Sequence, residues 1–348
     1  MQEFEVKPYD FDCDDEIIAL LHRVFNPWSG GEAYFRWKYH QLQLADCSFP
    51  RGWIIERDGK IIAFNGYVPR KIKAGDREIY VLQSFDTATD PECRGQGLFG
   101  ILQKLIYEEI QKTDIPWIYG WTSEIGFKVF TQKVGWTIWG QQKYLLRLLD
   151  PSWFAQTKVK NKLLAGCAGL AMSIIHRSSG KDKQWPGKIC EEKTFPQGVD
   201  DLCNIWQKRF DIVALRDKNY LDWRHSNPLA QQRFLCAYNG GKLVGYLVHS
   251  VQSADELDIL DCVWSESSAL SALLDEVEIY GRRHDFRIIR FRVTEDKQNT
   301  RVFKDAGYFY SRTVFPMVGH CVSCDETLKD LLWRQDKRIY WSLFDRNE

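Results

Sequence analysis

The sequence carries no excess of charge of either sign, because its 47 lysine and arginine residues equal its 47 aspartate and glutamate residues. Proteins that bind nucleic acid usually present a basic surface, so we expect no nucleic-acid partner. The first residues, MQEFEVKPYDFDCDDE, are acidic and contain no apolar segment of the kind found in signal peptides. These features predict a cytoplasmic protein.

The sequence also lacks an apolar run long enough to cross a membrane. The apolar stretch LLAGCAGLAMSII at 163–175 has 13 residues, whereas a membrane-spanning helix needs about 20. Lysines stand shortly before it, which leaves two interpretations. It is either a helix packed between two domains, which we favour, or a helix lying on a membrane surface.

A second C-x-x-C motif is missing as well. The ten cysteines are scattered along the chain, which is typical of reduced thiols in a cytoplasmic protein. Cys321 and Cys324 are the one close pair, beside His320. Because a structural zinc site usually takes two such pairs, we predict no metal site, and a metal or redox role is the less favoured interpretation of this pair.

The apolar patterns alternate between helical and strand spacing, which predicts an α/β layer architecture. A helix over 12–24 precedes two strands joined at Asp58-Gly59, a dipeptide typical of a tight hairpin turn. A third strand over 77–89 leads into the segment DPECRGQGLFG, residues 90–100, and then into a helix with one apolar face. The remaining predicted elements are a strand at WIYGW (117–121), a helix ending near Gly135, and a strand over 136–149.

Three motifs occur twice in the same order, which predicts two copies of one fold. YFRWKYHQ is echoed by YLDWRHSNP, and the hairpin GWIIERDGKIIAFNGYV by RFLCAYNGGKLVGYLV. VFTQKVGW and VFKDAGYF complete the series. We predict a first domain over 1–150, a connecting helix and linker over 151–195, and a second domain over 196–348.

Only the first copy contains the glycine segment. The second copy passes from strand to helix through LDILDCVWSESSALSALLDEVEIY, without Arg-Gly-x-Gly, so the turn itself does not require glycines. A glycine-rich turn before a helix directs unpaired backbone N–H groups and the positive end of the helix dipole at one point, which suits a phosphate or pyrophosphate. The dinucleotide fingerprint and the P-loop both fail, because the third glycine of the former and the Gly-Lys-Ser/Thr of the latter are missing.

The segment SFDTATDPECRGQGLF, entering an amphipathic helix, resembles the acetyl-CoA site of the GCN5-related N-acetyltransferases (GNAT). That family carries Arg/Gln-x-x-Gly-x-Gly/Ala after its central strand, and this chain departs from it at the last place, which is Phe99, followed by Gly100. The resemblance covers both copies. The sequence is similar to the two-copy members of the family among bacterial acyltransferases. It implies tandem GNAT-like domains, each a mixed and mostly antiparallel central sheet flanked by helices, with acetyl-CoA as co-substrate and no metal.

The resemblance also implies which residues hold the co-substrate. The backbone of the central strand, near Phe85, Thr87 and Thr89, would bind the pantetheine arm, and an N–H group there would polarise the thioester carbonyl. The pyrophosphate would lie on the amides of the glycine segment, formed by Arg94, Gly95, Gln96, Gly97, Leu98 and Phe99.

The acceptor amine must lose a proton, so a carboxylate is expected as general base. Asp86 is the first candidate because a carboxylate on the central strand can be desolvated, and a purely structural carboxylate is the alternative. Glu124, just after the WIYGW strand, is the second candidate. Thr131 stands where many family members place a tyrosine, so either Tyr119 acts as general acid or the CoA thiolate leaves to water.

The repeated tryptophans allow two interpretations. Trp37 with Arg36 and Lys38, and Trp223 with Arg224, would line an acceptor pocket or would pack a helix onto the sheet between exposed charges. Because the motif occurs in both copies, the fold role is favoured.

Two functions follow from the sequence. The first is transfer of an acetyl or other acyl group from acetyl-CoA to an amine of a small molecule, such as an aminosugar or sugar nucleotide, by direct attack in a ternary complex. The second copy would then serve as a lid or as the surface of a homodimer. The alternative is a non-catalytic CoA-binding sensor or scaffold. A peptide or aminoacyl-tRNA acceptor is a third hypothesis, which the zero net charge weakens for tRNA.

Overall fold

The computed structural model describes residues 4–26, 28, 30–42, 49–122, 124–158, 185–295 and 300–345. The predicted apolar helix at 163–175 lies outside these residues. Within them, one mixed sheet of 14 strands runs through both sequence copies, with helices on its faces. Most neighbouring strands are antiparallel, so the predicted fold class is confirmed.

The first copy forms the elements that its apolar patterns predict. The strand expected over 77–89 has those bounds, and the turn residues Asp58 and Gly59 both have positive φ, at 53° and 73°, as a tight hairpin requires. The elements are β1 (Glu5–Pro8), α1 (Asp14–Val24), α2 (Gly31–Arg36), β2 (Gly52–Arg57), β3 (Lys60–Ala74), β4 (Arg77–Thr89), α3 (Leu98–Ile110), β5 (Trp117–Gly120), α4 (Glu124–Lys133) and β6 (Thr137–Leu148).

The second copy repeats this order. The helix before its last long strand is followed by Gly307, with a φ of 78°, as the corresponding helix of the first copy is followed by Gly135, with a φ of 75°. After α5 (Pro151–Lys158), the elements are β7 (Lys188–Glu192), α6 (Val199–Gln207), β8 (Ile212–Ala214), α7 (Lys218–His225), β9 (Gln232–Asn239), β10 (Lys242–Val251), β11 (Glu256–Trp264), α8 (Ser267–Arg283), β12 (Ile288–Thr294), α9 (Thr300–Asp305), β13 (Phe309–Cys321), α10 (Glu326–Trp333) and β14 (Ile339–Tyr340).

The two copies exchange a strand in the middle of the sheet. The strand order is β1-β2-β3-β4-β5-β13-β6-β12-β11-β10-β9-β7, with β8 and β14 off this path. β13 of the second copy pairs with β5 and β6 of the first, and β6 pairs with β12 of the second. Each copy's sheet is therefore completed by a strand of the other.

Helices cover the first copy's sheet on both faces. On one face, α3 buries Leu98, Leu102, Ile106 and Ile110 at steps of four residues, each of which stabilises the fold by about 2 kcal/mol. On the other face, α1 and α2 pack against β3 around Phe64. β4 and β5 thus lie between two layers; β5 is buried along its whole length, whereas most residues at the end of β4 are partly exposed.

Trp37 and Trp223 form a reciprocal contact between the copies. Their rings stack with centroids 4.7 Å apart and planes 9° from parallel. Each indole N–H donates to the other residue's carbonyl oxygen, at 2.7 Å and 2.9 Å. This is a fold role, as the repetition of the motif indicates. Of the charges beside them that were predicted to be exposed, Arg36 is exposed, but Lys38 and Arg224 are each only 2% exposed.

Cys321 and Cys324 form a disulfide, so the expectation of reduced thiols is wrong for this pair. Among the described residues, no group of three or more histidine, cysteine, aspartate or glutamate side chains could hold a metal ion. No helix in the described part of the chain is both long and apolar enough to span a membrane.

Candidate functional site

A gap between β4 and β5 lies beside the glycine segment. The two parallel strands pair at Leu82–Ile118 and Gln83–Tyr119. Beyond this point β5 ends at Gly120, whereas β4 continues to Thr89. Among the residues that the structure describes, the end of β4 after Gln83 therefore has no paired strand on the β5 side. A linear ligand could lie along this open strand edge.

A β-bulge re-aims the chain within that stretch. The pairing of β3 with β4 shifts between Phe64 and Gly66, so that two residues of β4, Asp86 and Thr87, oppose one residue of β3. Asp86 has a φ of 33°, a left-handed conformation that costs a non-glycine residue roughly 1 kcal/mol or more. Strain of this kind concentrates at functional sites.

The Asp86 carboxylate is held by two side chains from the segment after α2. Lys38 Nζ and the Tyr39 hydroxyl each donate to Asp86 Oδ2 at 2.8 Å. The side chains of Lys38 and Asp86 are 3% and 13% exposed, so this is a nearly buried ion pair. Burial alone lowers the pKa of Lys38, but the attraction of Asp86, with that of Tyr34, outweighs it and raises the pKa. Lys38 is therefore a fixed cation.

Gly66 allows Tyr39 to reach Asp86. A methyl group at Gly66 would overlap the Tyr39 hydroxyl. On the opposite face, Asn65 Nδ2 donates to Thr87 Oγ1 at 2.8 Å and to the Phe85 carbonyl at 3.2 Å. The bulge is therefore fixed from both faces of the sheet. Two further side chains hold Asn65 Oδ1 in place, those of Tyr67 and Gln103.

The glycine segment leaves backbone amides at the surface. Gly95 and Gly97 have φ values of 82° and 76°, and Gly97 is the residue that precedes the first turn of α3. The first three amides of that helix belong to Leu98, Phe99 and Gly100 and have no carbonyl one turn earlier to bond. Residues 94–97 are exposed, and a side chain at either glycine would be strained by the backbone even though no atom crowds it. Exposed amides of this kind can bind an anion, and the segment over 94–99 is called the cradle below.

Phe99, where the sequence departs from the family pattern, does not fill the cradle. Its ring packs edge-on against Phe130 of α4, with centroids 5.1 Å apart. The side chain thus contributes to the core between α3 and α4, while its amide remains in the first turn of α3.

Cationic side chains surround the cradle. Arg94 is exposed, and Arg57 donates to Gln96 Oε1 at 2.8 Å. At the start of the segment, Asp90 is bound at 3.2 Å by both Lys60 and Arg23. Burial would raise the pKa of Asp90, but the Glu92 amide and these two cations lower it. The segment is thus anchored at its base and positively charged around its rim.

The other residues that the sequence suggested for the site form no hydrogen bond with Asp86 in the described structure. Tyr119 is fully buried on β5 and donates to Gln83 Oε1 at 3.1 Å, and burial raises its pKa despite nearby Arg70. Thr131 donates to the Phe127 carbonyl within its own helix. Glu124 begins α4, and its side chain lies outside what the structure describes. Thr89 ends β4 opposite Ala63.

Sequence reasoning missed the residues that support Asp86. Lys38 and Tyr39 appeared only as neighbours of a repeated tryptophan, and Asn65 and Gln103 carried no motif. A polar residue at an inward position of an apolar strand or helix was the one available signal, and Asn65 and Gln103 both show it. The partner of Lys38 could not be inferred, because it depends on how α2 docks on β4.

The matching gap in the second copy is filled by the chain itself. β11 and β12 pair as far as Ile259–Phe291. Past that point the Tyr340 hydroxyl donates to the Cys262 carbonyl at 3.0 Å, and the Thr294 amide donates to the Trp341 carbonyl at 3.0 Å. The segment around β14 thus forms hydrogen bonds with backbone groups of both strands.

Comparisons with known proteins agree with this geometry. Residues 5–139 match the family model described as acetyltransferase (GNAT) domain. No curated protein sequence matches the chain significantly. Among solved structures, a protein of Enterococcus faecalis V583 described as a "Probable N-Acyltransferase" superposes with a TM-score of 0.69 at 13% identity, covering 92% of this chain and 73% of that chain.

Two other solved structures share the fold. A GCN5-related N-acetyltransferase of Anabaena variabilis gives a TM-score of 0.63 at 13% identity, covering 92% of this chain and 73% of that chain. The N-myristoyltransferase of Saccharomyces cerevisiae, with bound myristoyl-CoA, gives 0.59 at 13% identity, covering 92% and 83%. At this identity the likeness establishes the fold.

Proposed function

We propose that this chain, whose residues 5–139 match the family model of an acetyltransferase (GNAT) domain, is an acyl-CoA-dependent N-acyltransferase that acylates an amine of a small molecule such as an aminosugar or sugar nucleotide. The amine attacks the acetyl or acyl thioester directly while both substrates are bound. The observation that carries this proposal is the adjacency of an exposed amide cradle, an unpaired strand edge and a strained carboxylate at Asp86.

The cradle and the strand edge divide the co-substrate between them. The pyrophosphate of the acyl-CoA lies on the amides from Arg94 to Phe99, where Gly95 and Gly97 let the ligand approach the backbone. The pantetheine arm follows β4 past Phe85, Thr87 and Thr89. This places the thioester at the bulge, where a backbone N–H group can polarise its carbonyl.

Asp86 is the proposed general base. Its carboxylate takes a proton from the bound ammonium of the acceptor, directly or through a water, and the resulting neutral amine then attacks the thioester carbonyl. Lys38 and Tyr39 position it and keep one oxygen occupied, so the other oxygen faces the acceptor. Glu124 at the start of α4 is the second candidate. Because Tyr119 is fully buried, we assign protonation of the CoA thiolate to water.

One observation favours a second function, a non-catalytic acyl-CoA sensor. Asp86 already has a buried ammonium partner at 2.8 Å, so its carboxylate is engaged in an ion pair before any acceptor binds. A sensor would keep the cradle and the strand edge but would release no CoA in the presence of amines.

Thiol release in the presence of a panel of aminosugars and sugar nucleotides separates these functions. We expect turnover by the wild-type chain and a loss of roughly 100-fold in kcat for Asp86→Asn, the scale of general-base catalysis. Asp12→Asn, an exposed carboxylate next to α1, is the control and should retain full activity. Full turnover in Asp86→Asn would remove Asp86 as the base. Binding of acyl-CoA without turnover on every amine would leave the sensor.

A further inference from the structure

The Cys321–Cys324 disulfide lies away from the proposed acyl-transfer site and has no part in it. It joins the last residue of β13 to the residue before Asp325, which caps the start of α10. The two Cα atoms are 5.5 Å apart, within the range usual for disulfides. Only two residues separate the cysteines, so the bridge closes a very small loop.

The two sulfur atoms differ in access. Cys321 is partly exposed and lines a surface cavity of about 740 Å³, together with His320, Thr137 and Trp333. Cys324 is 7% exposed and packs in the core under α10. A nucleophile that enters the cavity therefore meets the Cys321 sulfur first.

The surrounding backbone suits the reduced pair as well as the disulfide. Cys324 Sγ lies 3.2 Å from the Pro116 carbonyl oxygen, so a free thiol there has an acceptor already in place. The Val322 and Ser323 amides donate to the same carbonyl at 2.9 Å and 3.2 Å, and Cys321 pairs with Trp117 across β13 and β5. None of these bonds depends on the disulfide.

Four of the six free cysteines in the described part of the chain are less suited to exchange. Cys203, Cys236 and Cys262 are buried, and burial raises the pKa of each thiol, to about 12 for Cys236. Cys13 is partly exposed, and burial raises its pKa too. A thiol with a raised pKa is a poor partner in exchange, because the thiolate is the reactive form.

We propose that Cys321 and Cys324 are a reversible thiol–disulfide exchange site for a low-molecular-weight thiol that enters the cavity. The thiolate of that molecule attacks Cys321 Sγ, a mixed disulfide forms, and Cys324 leaves as a thiolate that takes a proton. A second thiol molecule attacks the mixed disulfide, releases the oxidised low-molecular-weight disulfide and leaves Cys321 reduced. The two electrons come from the two thiols, and the reverse sequence restores the bridge.

The first test is a redox titration of the full chain with reduced and oxidised glutathione, followed by alkylation and mass spectrometry of each cysteine. We expect Cys321 and Cys324 to change together from bridged to alkylated as the proportion of reduced glutathione rises. Labelling of partly exposed Cys93, which has no cysteine partner in the described structure, should not follow the same transition. A pair that stays in one state at every ratio would overturn the proposal.

A trapping experiment tests the order of attack. Oxidised glutathione should form a mixed disulfide on Cys321 in Cys324→Ser, at least roughly tenfold faster than on Cys324 in Cys321→Ser, because only the former sulfur lines the cavity. Equal or faster modification of Cys324 would contradict the assignment. If either variant fails to fold by circular dichroism, the wild-type titration decides alone.

Discussion

The two copies make the same strand-to-helix connection by different means. In the first, β4 reaches α3 through an exposed segment with two left-handed glycines, Gly95 and Gly97. In the second, β11 reaches α8 through Ser265 and Glu266, and Glu266 has an extended φ of −116°. The Ser265 amide is bound to the Val244 carbonyl at 2.8 Å. The turn therefore needs no glycine, and the glycines of the first copy serve to expose its amides.

The gaps beside these two connections also differ: the gap of the first copy is accessible, and that of the second copy is filled. Around the bulge of β4, Phe85, Asp86 and Thr87 remain half-buried. On β11, Asp261 and Cys262 are fully buried under the chain's own β14 segment. One copy keeps an accessible strand edge, and the other has closed it with protein.

A buried charge network holds that closure in place. Arg216 Nε donates to Asp261 at 2.8 Å, and its Nη2 donates to Asp345 at 2.7 Å. The side chains of these three residues are at most 1% exposed. Tyr246, Tyr340 and Ser342 also donate to Asp261.

Breaking this network is expected to have the largest effect on stability. Asp261→Asn removes one charge of a buried ion pair and should lower the free energy of unfolding by about 3–5 kcal/mol, measured by denaturant titration. Glu191→Gln is the control, because its ion pair with Arg233 is exposed and should contribute under about 1 kcal/mol. A loss in Asp261→Asn no larger than in the control would mean that the closure is not held by charge.

The equivalent position in the first copy gives the next largest effect. Lys38 follows Trp37 as Arg224 follows Trp223. The ammonium group of Lys38 pairs with the Asp86 carboxylate at the proposed site. Lys38→Met leaves Asp86 without its cation and should lower the free energy of unfolding by about 3 kcal/mol.

The pH dependence identifies the cause of that loss. The pKa of Lys38 is raised above its usual value, so the stabilisation is fully present below the pKa of an unfolded lysine and is lost as pH rises through the folded pKa. The difference between wild type and Lys38→Met should be constant between about pH 6 and pH 9 and shrink above roughly pH 10.5. A difference that shrinks near neutral pH would contradict the ion pair as the source.

A smaller effect is expected at Gly66, which has no side chain and whose equivalent in the second copy is Val248. Gly66 and Val248 hold the same place after their hairpins and pair with Phe85 and Asp261. Because Tyr39 packs over Gly66, Gly66→Ala should cost about 1–3 kcal/mol through overpacking and should also lower kcat. Tyr39→Phe removes the hydroxyl that donates to Asp86, but it leaves the ring, which a methyl group at Gly66 would still overlap. If Gly66→Ala is as active and stable as wild type, Tyr39 does not position Asp86.

The sequence predicted the features that depend on residues close together in the chain. The strand at 77–89, the Asp58-Gly59 turn and the cap at Gly135 follow from the preferences of nearby residues, and each is present. The strand exchange could not be predicted, because β13 pairs with β5 across nearly two hundred residues of chain. The burial of Lys38 and the closure by β14 depend in the same way on distant packing. Asp86 was singled out as a candidate because its strand leads into a recognisable segment, and its role stays a prediction.

Isothermal titration with acetyl-CoA tests most directly the claim that one copy binds and the other has been closed. We expect one acetyl-CoA per chain and loss of binding in Gly97→Glu, which strains a left-handed residue and places a negative charge in the cradle. Gly198→Glu is the matched control, because Gly198 precedes α6 of the second copy with a φ of 86° and open space around it; binding should persist there. Two molecules bound per chain, or equal binding by Gly97→Glu, would contradict the account.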